Sequence, residues 1–340
     1  MADDIEDDPY APDEEEELDD GPKLRQRQLG RTGGYVSELS LGTWGLSGEA
    51  SGPVYHMEVD RVIDRAMEAG ITLFDTADVY GAGDMEKKLG EKLDPEKHRI
   101  CTKIGTFPDE IPPRKHFSPD KLSEALEACR ERQKRDMLDV VLLHNPSVKA
   151  LEADGPQFMR ERVEADEVGV WGVSCGDGEV AVKAIEAGAQ VIMLPLNVLH
   201  QHDFLKVAEQ IEGTETGLMA RSVLSHGLLA GHWSRNKIFF DNDHRQKRWT
   251  KDSLKYRLGQ LDALRHLIDG EVITLRSVAL RWVLQHHLVS TAVLGPRSLT
   301  QLNQLIFEAG QGPPYLDEDA LMELPARLEA VGEEPAEAML

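Results

Sequence analysis

The sequence predicts an α/β fold, a (β/α)8 TIM barrel closed at one end by an N-terminal β-hairpin, and three observations carry that prediction. Short apolar runs of strand length alternate with amphipathic stretches of helix length, a pattern that demands parallel strands and right-handed crossovers. The alternation repeats eight times, which suits a closed barrel. No GxGxxG follows the first run, so the doubly wound open sheet, the nearest competing architecture, lacks its phosphate-binding turn.

In chain order, residues 25–41 hold two short strand-like runs about the turn Thr32-Gly33-Gly34, a hairpin able to plug one end of a barrel. The second run enters the glycine-rich loop GTWGLSG, beginning at Gly42. Residues 57–69 then place Val59, Val62, Ile63, Ala66 and Met67 on one helical face. Further strands are expected at 71–75, 99–103, 138–143, 169–173, 190–196, 217–222 and 291–294. Helices are expected near 84–93, 118–134, 156–167, 177–187, 201–211 and 272–286, with another after Ser298 and a C-terminal helical extension. One connection, residues 223–253, is too long for an ordinary βα loop; it reads either as a functional excursion at the barrel mouth or as a solvated surface loop.

The formal charge of −23 is concentrated at the start, where residues 1–20 hold twelve acids and no Lys or Arg, leaving −11 for the rest. Residues 1–22 are therefore expected to be a disordered acidic tail, either solubilising or partner-binding, ahead of one barrel domain spanning 23–340. A body this acidic argues against general nucleic-acid binding. No leader pattern and no run of eighteen apolar residues occurs, so a soluble cytoplasmic protein is expected. Cys101, Cys129 and Cys175 are too few and too scattered for a disulfide framework.

The stretch ITLFDTADVYG organises the chemistry. Its apolar run stops at Asp75, at what should be the mouth end of a strand, and Tyr80 follows five residues later. The next two strand patterns stop likewise, RICTK on Lys103 and DVVLLH on His144. Neighbouring parallel strands deliver their C-terminal ends to one rim, so an Asp, a Tyr, a Lys and a His should converge there. Lys103 would favour the phenolate of Tyr80, Asp75 would hold Lys103 charged, and His144 would orient a substrate oxygen. Taken singly, each residue reads first as a strand-end ion pair or rim packing; four on correct strand ends reverse that reading.

From about residue 24 to about 310 the chain resembles the aldo-keto reductases, in their bacterial-type, potassium-channel β-subunit-like branch. The similarity runs through QLGRTGGYVSELSLGTWGL, GITLFDTADVYG, ICTKIG, LDVVLLHNPS, SVLSHGLLAG and ALRWVLQHHLVSTAVLGPRSLTQL. It implies NADP(H) bound across the barrel mouth and reduction of a small carbonyl substrate, with Tyr80 as general acid and Asp75, Lys103 and His144 completing a catalytic tetrad. The turn GPRS, Gly295 to Ser298, follows the eighth strand and opens a helix, where this fold takes phosphate. By resemblance Arg297 and Ser298 would contact the adenosine 2′-phosphate and Gln301 would face the adenine. Leu224, Ser225 and Gly227 match the loop that meets the pyrophosphate, and Arg221 matches an Arg of some members. Gly42, Thr43, Trp44, Ser222, Leu229 and Gln304 fall at further cofactor-contact positions, although Gln304 and Leu305 replace a common Glu-Asn and His232 a common Lys.

The nicotinamide end departs from the family pattern: Ser174-Cys175 stands for Ser-Asn, Met193 for Gln and Leu196 for a stacking Tyr. Two amide hydrogen bonds at roughly 1 kcal/mol each and a stack of about 0.5–1.5 kcal/mol would be lost, on the order of a hundredfold in ring affinity. Two further readings follow: an NADP(H)-binding barrel with little turnover, regulatory or partner-binding, and a non-redox acid/base reaction at Tyr80 and His144. His200, His202, His226 and His232 cluster near the mouth, but no ligand spacing supports a metal, and none is expected. Cys175 reads as a small buried hydrophobe or a reactive thiol. Trp44 and Trp233 read as pocket walls or as rim packing.

Overall fold

A computed structural model describes residues 24–107, 114–241 and 243–332; the expectation of an acidic tail at 1–22 lies outside them. The hairpin pairs β1 (Gln26–Gln28) with β2 (Tyr35–Ser37). Eight strands follow: β3 (Leu39–Gly42), β4 (Leu73–Asp75), β5 (Arg99–Ile104), β6 (Leu138–His144), β7 (Val168–Ser174), β8 (Val191–Pro195), β9 (Gly217–Arg221) and β10 (Val289–Leu294). They pair in parallel in chain order, and β10 closes back on β3, forming the expected barrel. A small antiparallel ribbon, Thr106–Phe107 with Arg114–Lys115, stands beyond β5.

The outer layer comprises α1 (His56–Glu68), α2 (Asp84–Lys92), α3 (Pro119–Gln133), α4 (Gly155–Glu164), α5 (Gly178–Glu186), α6 (His202–Thr214), α7 (Lys251–Leu264), α8 (Leu275–Gln285), α9 (Leu299–Ala309) and α10 (Glu318–Glu329). Helix α7 is not foreseen by the sequence reading. Its inner face mixes Leu254, Leu261 and Leu264 with buried Ser253 and Gln260, so no clean apolar stripe marks it.

The strand pleat divides the core in two. Leu73, Cys101, Val140, Leu142, Val170, Val191, Met193 and Met219 point inward and meet Leu29 and Val36 of the hairpin, which plugs the bottom. Phe74, Ile100, Trp171, Val173, Ile192 and Leu194 point outward and meet the helices. Each such large side chain contributes roughly 1.5–3 kcal/mol on burial. The hairpin is pinned by Arg27, which donates to the carbonyls of Leu284 (2.6 Å) and Val289 (3.0 Å) and to Glu38 (3.1 Å). At Gly172, on the inward face of β7, a Cβ would collide with the carbonyl oxygen of Val191 on β8; only glycine lets these strands approach.

Candidate active site

The register brings the strand ends to one rim. Gly42 pairs with Asp75, Asp75 with Cys101, Lys103 with Leu142, and His144 with Ser174. Beyond β4 the chain stays hydrogen-bonded to β5, Thr76 N–H to the Cys101 carbonyl (2.8 Å) and Asp78 N–H to that of Lys103 (3.1 Å), and so carries Tyr80 over the mouth. Tyr80 then opens a tight turn in which Gly81, Ala82 and Gly83 all have positive φ.

Asp75 and Lys103 are buried, 5% and 2% exposed. The Lys103 ammonium donates to Asp75 Oδ1 at 2.6 Å and to the Thr76 carbonyl at 2.7 Å. Nζ lies 5.0 Å from the centre of the Tyr80 ring, and the His144 ring stands edge-on to that of Tyr80 at 6.4 Å. The four expected residues therefore do converge. Burial is the largest influence and works against the charge on Lys103, but Asp75, Tyr80 and Cys101 together outweigh it and hold the ammonium above its ordinary pKa. Burial raises Asp75, with Lys103 opposing. Burial likewise holds the Tyr80 phenol above its ordinary value while Lys103 pulls it back. His144 is driven down to about 3 by burial and by Lys103, Lys115 and Arg221, so it is neutral near pH 7. Its Nδ1 is buried without a hydrogen-bond partner.

Several residues at this rim are not foreseen by the sequence reading. Lys115 donates to the carbonyls of His144 (2.8 Å) and Asn145 (3.1 Å), fixing the end of β6. Asp78 has an unpartnered Oδ1; burial and the charge of the buried Glu86 raise its carboxyl to about 7, with Arg132 and Lys103 opposing. A folded-state pKa raised above the ordinary 3.8 means that stability is fullest in acid and declines as pH rises toward 7. At about 1.4 kcal/mol per pK unit and roughly 2–4 °C per kcal/mol, this one group should lower Tm by on the order of 10 °C between pH 4 and pH 8, read in thermal melts as the wild type's slope relative to Asp78→Asn. Asp78→Asn should flatten that slope, and an unchanged slope would remove Asp78 as its source.

The long connection is anchored on the barrel, although residues 234–238 and Phe240 within it are exposed. Trp233, Phe239 and Trp249 pack together at 5.0–5.9 Å, and Arg245 lies over the rings of Trp233 and Phe239. The His244 ring meets Trp44 at 4.7 Å and His226 at 5.1 Å, and the His244 backbone N–H donates to the Ala50 carbonyl. The connection thus folds back onto the GTWGLSG loop.

Between β8, β9 and this connection lies a cleft of about 480 Å³ whose lining includes Asn197, Arg221, Ser222, Ser225, Arg248 and Trp249. Arg221 donates to the Cys175 carbonyl at 3.0 Å, yet its Nε and that of Arg248 are buried without an acceptor. Ser222, Ser225 and His226 all adopt positive φ, a strained run for non-glycine residues. His200 and His202 converge on Asp203 Oδ2 (3.1 and 3.2 Å), but Lys206, Arg248 and Arg257 line the same cleft, a setting that opposes a metal cation.

The nicotinamide-end residues fall differently from expectation. Ser174 and Met193 point inward and touch, with Ser174 Oγ 3.9 Å from the Met193 sulfur. Cys175 and Leu196 have no exposed surface and pack in the layer between barrel and helices. This corrects their expected placement against the nicotinamide: the pleat that turns Ser174 inward turns Cys175 outward. Burial also pushes the Cys175 thiol up, so it is the small hydrophobe rather than the reactive thiol. Leu229 is likewise core, and Thr43 is buried with its hydroxyl on the Asp75 carbonyl.

At the turn after β10, Arg297 is already engaged: Nε with the Gly45 carbonyl (3.2 Å), Nη1 with Ser51 Oγ (2.8 Å) and Nη2 with the Gly52 carbonyl (2.7 Å). Gln301 Oε1 accepts from the Arg297 N–H at 2.8 Å, and Ser298 Oγ caps α9 by accepting from the Gln301 N–H.

The aldo/keto reductase family model matches residues 38–311. Among solved structures, the glycerol dehydrogenase AKR11B4 from Gluconobacter oxydans is similar with a TM-score of 0.79 at 22% identity, covering 93% of this chain and 98% of that one. The holo form of the aldo-keto reductase AKR11C1 from Bacillus halodurans is similar with a TM-score of 0.74 at 20% identity, covering 92% and 97%. At these identities the two likenesses speak to the barrel. The family match extends over most of the chain, including every strand that carries a rim residue, and by it the chain belongs to the aldo/keto reductase family of NAD(P)H-dependent oxidoreductases.

Proposed function

We propose that the protein reduces an aldehyde or ketone to an alcohol, with Tyr80 as general acid assisted by Lys103, Asp75 and His144. The observation that carries this reading is the buried Asp75–Lys103 pair set against the Tyr80 ring at the rim, with a neutral His144 beside it. A nicotinamide dinucleotide bound here would supply the hydride to the carbonyl carbon. The cleft suits its diphosphate: two buried guanidinium Nε donors without acceptors, Arg221 and Arg248, stand beside Ser222 and Ser225. Tyr80 gives its proton to the carbonyl oxygen, and the Lys103 ammonium stabilises the phenolate left behind. Asp75 keeps Lys103 charged and aimed, because a buried ammonium without a carboxylate would shed its proton. His144, being neutral, directs the carbonyl oxygen by hydrogen bonding without competing for the proton.

A panel of aldehydes and ketones, followed by oxidation of NADH and NADPH, tests this. Turnover above that of a Tyr80→Phe control supports the reading, and none on a broad panel counts heavily against it. A second reading, a dinucleotide-binding barrel with little turnover, is favoured by the altered nicotinamide end, where Cys175 and Leu196 offer no side-chain surface. Tight dinucleotide binding by calorimetry without turnover would support it.

A further inference from the structure

The turn that would receive a 2′-phosphate is filled from within the chain. Glu58, in the first turn of α1, places Oε1 2.7 Å from the Leu299 N–H, at the first turn of α9. A carboxylate thus holds the position where helix N–H groups and the helix dipole would favour an incoming anion. Several other donors of the turn are engaged as well. Gln301 and Ser298 accept from the Arg297 and Gln301 N–H groups, and the Arg297 guanidinium spends its hydrogen bonds on Gly45, Ser51 and Gly52. Arg65 of α1 also donates to Asn303 of α9 at 2.8 Å, so the same two helices are tied one turn further on and Glu58 is held in register.

We infer that Glu58 makes the protein select NAD(H) over NADP(H), excluding the adenosine 2′-phosphate by charge and occupancy; this rests on the dinucleotide reading above. A 2′-phosphate must either displace Glu58 or sit against it as a like charge, and it must strip Arg297 from the 45–53 loop to gain a cation. A 2′-hydroxyl meets none of these obstacles, and a carboxylate accepts a hydrogen bond from it, the device by which acidic side chains recognise the unphosphorylated ribose in dinucleotide folds. Arg297 is accordingly a loop anchor rather than a phosphate ligand, in contrast to what the sequence resemblance implies for it.

Isothermal titration of the full chain with NADH and with NADPH tests the inference without turnover. The expected result is NADH at least tenfold tighter. Glu58→Gln, whose amide oxygen can still cap α9, should tighten NADPH about tenfold and leave NADH within threefold. Arg297→Ala should weaken both dinucleotides by a similar factor, because it frees the loop rather than removing a phosphate contact. Equal affinities, NADPH the tighter, an unchanged ratio in Glu58→Gln, or a loss confined to NADPH in Arg297→Ala would each overturn the selection while leaving the oxidoreductase reading intact. Absence of binding by both dinucleotides in a folded protein would overturn both.

Discussion

Tyr80→Phe is expected to lower kcat/KM for any reducible aldehyde by about 10²–10⁴-fold, the range a positioned general acid contributes. Dinucleotide affinity should stay within threefold. The substitution deletes one oxygen and keeps the ring, so the edge-on contact with His144 at 6.4 Å and the approach of Lys103 Nζ to the ring at 5.0 Å both survive. What is lost is the phenolic proton held over the mouth beside Lys103 and His144. Lys103 cannot replace it, because its ammonium donates to Asp75 and to the Thr76 carbonyl and is held above its ordinary pKa. His144 cannot replace it either, since at a pKa of about 3 it carries no second proton at neutral pH. Steady-state kinetics beside a calorimetric Kd would separate the two effects. A variant retaining more than a tenth of wild-type kcat/KM would show that the proton comes from elsewhere, and a Kd shifted as much as kcat/KM would show a structural role.

The rim was legible because each element advertised it locally. Runs such as ITLFD, RICTK and DVVLLH are apolar until the strand reaches the mouth, and the ionisable residue that stops each run is the one the register places there. What joins distant segments was not legible. Lys115 fixes the end of β6 from 29 residues away, and Arg297 reaches back about 250 residues to the loop at Gly45. No periodicity records such pairings. Glu58 illustrates the same limit: in the sequence it is an ordinary acid at a helix start, where acids favour the dipole of their own helix, yet its oxygen serves the N-terminus of α9. Motif correspondence failed in a different way at Cys175 and Leu196. It identified the positions but not the side of the sheet, and the pleat decides which side chain a ligand in the mouth can touch. Helix α7 escaped because its buried face contains Ser253 and Gln260 while its exposed face is charged, leaving little contrast to read.

Lys103→Met should be the most destabilising substitution at the rim, costing about 3–5 kcal/mol, because it strands a buried carboxylate. Asp75 is 5% exposed and its short ion pair with Lys103 supplies the cation that opposes burial. Without that cation the carboxyl of Asp75 rises further. The folded state then binds a proton more tightly than the unfolded one, so stability must fall as pH increases from about 4 through the raised pKa. The deficit relative to wild type should therefore be larger at pH 8 than at pH 5 in urea denaturation. Adding Asp75→Leu to Lys103→Met should recover most of the lost stability, since a buried ion pair replaced by apolar groups of similar volume is often neutral in energy. Activity should not return with it: the double variant has no ammonium to stabilise the Tyr80 phenolate. That dissociation is the informative result, because stability regained without turnover would assign the buried charges to chemistry, whereas turnover regained with stability would make Lys103 a packing residue. A deficit equal at both pH values would remove Asp75 ionisation as its cause.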